Sequence, residues 1–240
     1  MLTITSTKKN MELLKSNPVI DPKYKPSMEM GYMDYFNRAI AFAQTNYQDQ
    51  LAKLSRTHFI KLSPTNFFEE YAWSVSCVNE NLHEVSRFFP ELSKRLSPFY
   101  TCFWDLNNFP NIEEIKPQLI SLNNSEKKTE ALITCADIIN RGIKLFGWDN
   151  YKDNFLSTPE KLCVLPVIGM SGAKQLCRNI GISSEVLSTA KLHQLAVHWG
   201  FEDSKLLCAA IQQHVNMQLK VIELVMWYAS ATFETTIPST

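Results

Sequence analysis

A chain of 240 residues, 45% of them apolar, can bury one large core or two smaller ones and has the composition of an ordinary globular protein. The 24 Lys+Arg balance 24 Asp+Glu, so no overall field marks the chain for a polyanion, although a local basic face is not excluded. No segment reaches about 18 uninterrupted apolar residues, and "MLTITSTKKNMELLKS" turns charged before any long apolar run, so neither a membrane span nor a signal peptide is expected.

In chain order, residues 1–28 are mixed in character and hold Pro18, Pro22 and Pro26, which predicts an arm packed on the surface. Helical periodicity starts near "YMDYFNRAIAFAQTNYQDQLAKLS". Ser63-Pro64 is a helix start, with serine to cap free N–H groups and proline suited to the first turn. Phe67, Phe68, Tyr71, Ala72, Val75 and Val78 then form an apolar stripe, and Asn79-Glu80-Asn81 breaks it from the next helix. "YTCFWDLNNFPNIEEIKPQLISLNNSE" is turn-rich with one short helix after Pro110. "SEKKTEALITCADIINRGIKLFG" is a strong amphipathic helix, capped by Ser125 and ending near Gly142 or Gly147. The last third holds three more helices between Ser188 and Phe233. β-branched alternation is scarce, so the expected class is all-α, with about ten helices and no repeats.

The six cysteines, Cys77, Cys102, Cys135, Cys163, Cys177 and Cys208, include no CxxC pair, which argues against a zinc site or an iron–sulfur cluster. Most sit in apolar helical patterns, where reduced thiols and a cytoplasmic location fit. The five histidines show no catalytic or metal spacing. Residues 141–191 carry Arg141, Lys144, Lys152, Lys161, Lys174, Arg178 and Lys191 against Asp149, Asp153, Glu160 and Glu185, a mild basic bias.

The stretch "STPEKLCVLPVIGMSGAKQLCRNIGI" parses as helix, tight turn, helix, with the hairpin at about 159–181. Thr158-Pro159 starts the first helix, "PVIG" makes the turn with Gly169 as the residue that tolerates positive φ, and Gly181 ends the second helix. The free N–H groups around Gly169, Met170, Ser171 and Gly172 carry the positive end of the helix dipole, an anion site that suits a phosphate. Gly172 allows a close backbone approach, and Lys174 and Arg178 follow on the next turns. The alternative is an αα-hairpin whose glycines serve packing.

This hairpin resembles the helix-hairpin-helix of the HhH-GPD DNA glycosylase superfamily, whose motif is roughly LPGIGxxTAxxLxxNLG. Leu165, Pro166, Ile168, Gly169, Ala173, Leu176, Asn179 and Gly181 stand in register. "FGWDNYKDNFLSTPEKLCVLP", "STAKLHQLAVHWGF" and "LKVIELVMWYA" are similar to flanking blocks of phage and bacterial members, and "SPTNFFEEYAWSVSCVNENLHEVSRFFPEL" resembles the early helix pair. The resemblance spans about residues 55–232. It implies two helical subdomains within 29–240, a monomer, double-stranded DNA as partner, and a Na+ or K+ ion held by backbone around Leu165, Val167 and Gly169. It also implies that the loop at Asn79 or Asn81 fills the gap left by a flipped base.

Two family hallmarks are replaced. The lysine that attacks the sugar in bifunctional members corresponds to Ser171, and a hydroxyl cannot form a Schiff base. The aspartate that steadies the sugar cation corresponds to Thr189, with Lys191 nearby. Three readings stand: an enzyme with a displaced carboxylate (Glu223, Glu80 or Asp149), a DNA-binding module without chemistry, or a pocket remodelled for a hypermodified phage base. The purely structural roles open to those acids are a buried hydrogen-bonded acid, a solvated loop residue and a helix cap respectively. Tyr71, Trp148 and Tyr228 are the candidate walls of a base pocket. The leading expectation is a monofunctional DNA glycosylase that leaves an abasic site, in phage defence or repair; the second is a silent sensor of lesions or modified bases.

Overall fold

A computed structural model describes residues 31–48, 51–52, 54, 57–80, 82–182 and 189–232. Among the described residues every extended element is helical, twelve α-helices and one 3₁₀ turn. The fold is therefore all-α, as the sequence predicts. The arm at 1–28, Asn81 and Glu185 lie outside the described residues. The chain divides into two compact units, one of residues 57–184 and one of 1–56 with 185–240.

In the 57–184 unit, the 3₁₀ turn Phe59–Lys61 leads into α2 (Pro64–Ser76), numbered after α1 (Tyr32–Asn46) of the other unit. There follow α3 (Leu82–Arg95), α4 (Ser97–Cys102), α5 (Ile112–Asn123), α6 (Glu126–Phe146), α7 (Trp148–Phe155), α8 (Pro159–Leu162) and α9 (Met170–Asn179). Polar caps set the starts that the sequence marks. Ser63 accepts from Asn66 N–H, Ser125 from Lys128 N–H and Thr158 from Lys161 N–H. The core gathers Phe67, Phe68, Leu92, Phe99, Leu132 and Leu176, each fully buried, from five helices. Each such side chain contributes about 1.5–3 kcal/mol.

Several expectations change. The region after Pro110 holds a twelve-residue helix rather than a short one, α4 precedes it, and the polar aromatic run at 148–155 is helical. Gly147, at φ 73°, ends α6, whereas Gly142 lies inside it, at a position where a Cβ would overlap the Tyr151 ring. Two groups tie α7 to the segment before α2. Trp148 Nε1 donates to the Leu62 carbonyl at 2.6 Å, and buried Lys152 donates to the carbonyls of Phe59 and Ile60 at 3.3 and 3.4 Å.

The second unit packs α1, α10 (Ala190–His198) and α11 (Ser204–His214) around α12 (Leu219–Thr232). Its first helix stops at Asn46, sooner than the periodicity suggests, where Tyr47 takes φ −137° and stacks on Tyr228 with ring centroids 4.1 Å apart. No helix among the described residues is long and apolar enough to cross a membrane.

Candidate nucleic-acid interface

The hairpin is α8, the turn 163–169 and α9. Its turn is a β-turn closed by Ile168 N–H on the Leu165 carbonyl at 3.3 Å, with Pro166 and Val167 at the corners. The positive φ falls on Val167, at 65°, and Gly169 has φ −87°. This corrects the expectation that Gly169 supplies it: the third position of the turn is the one that needs left-handed backbone. A β-branched residue there is a genuine outlier, at a cost of order 1–3 kcal/mol.

Gly169 is instead the N-cap of α9, and it offers no side-chain cap to the first-turn N–H groups. Gly31 and Gly147 begin helices in the same bare way, whereas Ser63, Asn111, Ser125, Thr158, Thr189 and Asp203 cap theirs. A Cβ at Gly169 would meet nothing within 4 Å, and one at Gly172 would only touch Ile168 at 3.7 Å. Neither glycine is needed for packing or for φ. Gly169, Met170, Ser171 and Lys174 are exposed, and Gly172 is partly so. Val164, 78% exposed, flanks the same turn.

The other end of α9 is closed. Gly181, at φ 82°, completes a Schellman motif in which Ile182 N–H reaches the Cys177 carbonyl at 2.9 Å and Gly181 N–H reaches Arg178 at 3.2 Å. Arg178 is 1% exposed, which overturns its assignment as a phosphate contact. Its Nε and Nη2 donate to Asn179 Oδ1 at 3.2 and 3.1 Å, and Asn179 Nδ2 donates to Glu70 Oε2 of α2 at 3.1 Å. An interior guanidinium is held because it is hydrogen-bonded and an acid lies in the same network. Lys174 remains the basic side chain on the open face. The Glu160 carboxylate lies within its field and is held below the usual range by its own N–H and the Thr158 hydroxyl, with Lys174 adding to that.

The candidate pocket aromatics are committed to the two interiors. Tyr71 is fully buried, and its hydroxyl donates to Pro166 O at 2.8 Å, with Ala131 O as a second, longer contact at 3.2 Å. Trp148 is the strut to Leu62, and Tyr228, 1% exposed, is stacked on Tyr47. These contacts correct the expectation of an open pocket for Tyr71 and Tyr228, which are buried; Trp148 is partly buried, its indole N–H engaged by Leu62. Trp104, by contrast, is 70% exposed.

The candidate acids differ in kind. Glu80 accepts from Lys128 Nζ at 3.1 Å, and the same ammonium donates to the Ser76 carbonyl at the end of α2. Asn79 beside it takes φ 57° in the turn after α2. Asp149, with its side chain 86% exposed, stands in the first turn of α7 rather than at its cap, 3.7 Å from Lys152. Glu223 is 1% exposed on α12, among the buried Val221, Ile222, Leu224 and Val225. Its charge, after burial itself, helps push the Cys208 thiol up to about 12. Thr189 accepts from Leu192 N–H at 3.3 Å and is the N-cap of α10, with Lys191 exposed in the first turn. A hydroxyl so engaged is a helix cap, not a substitute for a carboxylate.

The Leu165 and Gly169 carbonyls each accept one backbone N–H, and each keeps a second lone pair for a cation. No cluster of three or more His, Cys, Asp or Glu among the described residues has the arrangement of a metal site. Burial pushes Cys77 and Cys177 up to about 12 and Cys102 to about 11, so these thiols stay protonated and unreactive at neutral pH. No family model, curated protein or solved structure matches the chain.

Proposed function

We propose that the chain docks on duplex DNA through the 159–181 hairpin and acts there as a monofunctional DNA glycosylase on a modified base. One strand phosphate sits on the N–H groups that open α9. The observation that carries this reading is the pair Gly169 and Gly172. Both are bare of side chain on an open helix start, and no packing or dihedral requirement inside the chain explains either. Gly169 suits an N-cap, but Gly172 lies within the helix, where a glycine costs about 1 kcal/mol relative to alanine, and an approach from outside is a reason to keep it.

The chemistry follows from which groups remain. Ser171 cannot supply an amine, so the step is hydrolysis: water adds to the sugar carbon, the base departs protonated, and an abasic site remains. The three candidate carboxylates offer different things: Glu223 is an acid kept in an apolar helix, Glu80 is bound to Lys128, and Asp149 is exposed to water. A modified base in phage DNA and a damaged base in cellular DNA are the two substrate classes, with defence or repair as the corresponding process.

A second reading, a sensor that binds without cutting, is favoured by one observation: Tyr71 and Tyr228 are buried in the protein's own interiors and the indole N–H of Trp148 is engaged by Leu62. Incubation with duplexes carrying uracil, oxidised, alkylated, hydroxymethylated or glucosylated bases separates the two. Base release read by mass spectrometry, lost with affinity retained in one of Glu223→Gln, Glu80→Gln or Asp149→Asn, is the expected result. Binding to every duplex with release from none would overturn the enzymatic reading and leave the sensor.

A further inference from the structure

The turn that presents the hairpin is built against the preference of its own residue. Val167 stands at the third position of the Leu165–Ile168 turn with φ 65°. That position in a type II turn favours glycine, and a β-branched residue prefers the type I turn reached by flipping the peptide plane between Pro166 and Val167. The orientation of that plane is therefore a choice between two states, and something must hold the less favoured one.

The group that holds it is visible. Tyr71 reaches from α2, fully buried, and donates its hydroxyl hydrogen to the Pro166 carbonyl, the oxygen of that same peptide plane, at 2.8 Å. The 3.2 Å contact to Ala131 O of α6 ties the phenol to a third element. No backbone N–H among the described residues donates to Pro166 O. A trans peptide places its N–H opposite its carbonyl, so drawing Pro166 O inward to Tyr71 turns Val167 N–H away from that contact.

We propose that Tyr71 is a positioning residue for DNA docking: its hydrogen bond to Pro166 holds the turn in the left-handed state that aims the hairpin's N–H groups at a phosphate. This rests on the docking reading above. Without the hydroxyl, the strain at Val167 is relieved by the flip, and the docking-competent fraction falls about tenfold, with the apparent affinity falling by the same factor.

The test is a two-residue cycle read by fluorescence anisotropy on a 20-base-pair duplex, each variant first shown to be folded at the assay temperature. Tyr71→Phe is expected to weaken binding about tenfold and to lower the salt dependence by about one phosphate contact. Val167→Gly alone keeps wild-type affinity, and Tyr71→Phe with Val167→Gly returns to within about twofold of it, since glycine holds a type II turn unaided. A loss of general stability would move neither the salt slope nor the rescue. If Tyr71→Phe does not fold, 4-aminophenylalanine at position 71, a weaker donor of similar shape, is read the same way and gives a smaller loss. Wild-type affinity in either variant, with Gly172→Glu abolishing binding, overturns the role of Tyr71 and leaves the docking reading intact. Wild-type affinity in Gly172→Glu as well overturns the docking reading itself.

Discussion

The two ends of α9, a helix of ten residues, follow opposite rules. At its C-terminal end Arg178, Asn179 and Ile180 are buried, hydrogen bonds run to Glu70, and Gly181 is required by both its φ of 82° and its neighbours. At its N-terminal end Gly169 and Gly172 are required by neither, and the surrounding residues face solvent. The difference teaches how to weigh glycine. Where a Cβ would strike backbone, the residue is explained by the fold. Where a Cβ would meet open space, the fold gives no reason for it, and function is the better place to look.

The contrast can be broken by substitution. Gly181→Ala should have the largest effect, because the new Cβ lies 2.9 Å from the Thr57 carbonyl oxygen and 3.0 Å from Phe59 N in a left-handed backbone. A loss of about 3 kcal/mol is expected in a urea melt. A loss below about 0.5 kcal/mol would mean that the Thr57 segment yields and that the closed end is softer than its contacts imply.

Arg178→Met comes next. It leaves the Glu70 acid in the interior without the guanidinium, and about 3 kcal/mol of stability should go. Affinity for DNA, measured where the variant is still folded, should not change. A variant of normal stability and weakened affinity would return Arg178 to the phosphate.

Alkali provides a smaller and graded test of the buried half. Thiols raised in the folded protein, Cys177 at about 12 among them, stabilise it fully below their unfolded value near 9 and cease to as pH rises through the folded value. The unfolded chain sheds those protons first, so stability should decline between about pH 9 and 12, by up to about 1.4 kcal/mol per pH unit for each thiol. Cys177→Ala should make the decline shallower, and an unchanged slope would deny Cys177 its buried, protonated state. The smallest effect belongs to the open end: Gly169→Ser adds a cap and should stabilise by a few tenths of a kcal/mol in the same melt.

Much of this architecture is legible in the sequence because it is local. Ser63, Ser125 and Thr158 announce helix starts by capping a residue three positions away, and Gly181 announces an end. The misreadings all depend on partners far along the chain. Arg178 at helical spacing from Lys174 looks like a second surface cation until Glu70, more than a hundred residues earlier, is brought beneath it through Asn179. Tyr71 looks like a pocket ring because its partner is a backbone carbonyl, which has no sequence signature. Val167 was hidden for a related reason: Gly169 is the obvious residue for positive φ, yet turn register, not composition, decides which residue receives it. Of the candidate site, the open helix start was legible, and the side chains around it were not.

The central claim is that the start of α9 is kept bare for something outside the chain. Gly172→Ala tests it most directly, because the added methyl fits beside Ile168 at 3.7 Å and improves helix propensity. Melting and duplex binding should then move in opposite directions: stability up by about 0.5–1 kcal/mol, and affinity for DNA down several-fold. Stability gained with affinity unchanged would contradict the account, and would show that no DNA backbone approaches this helix.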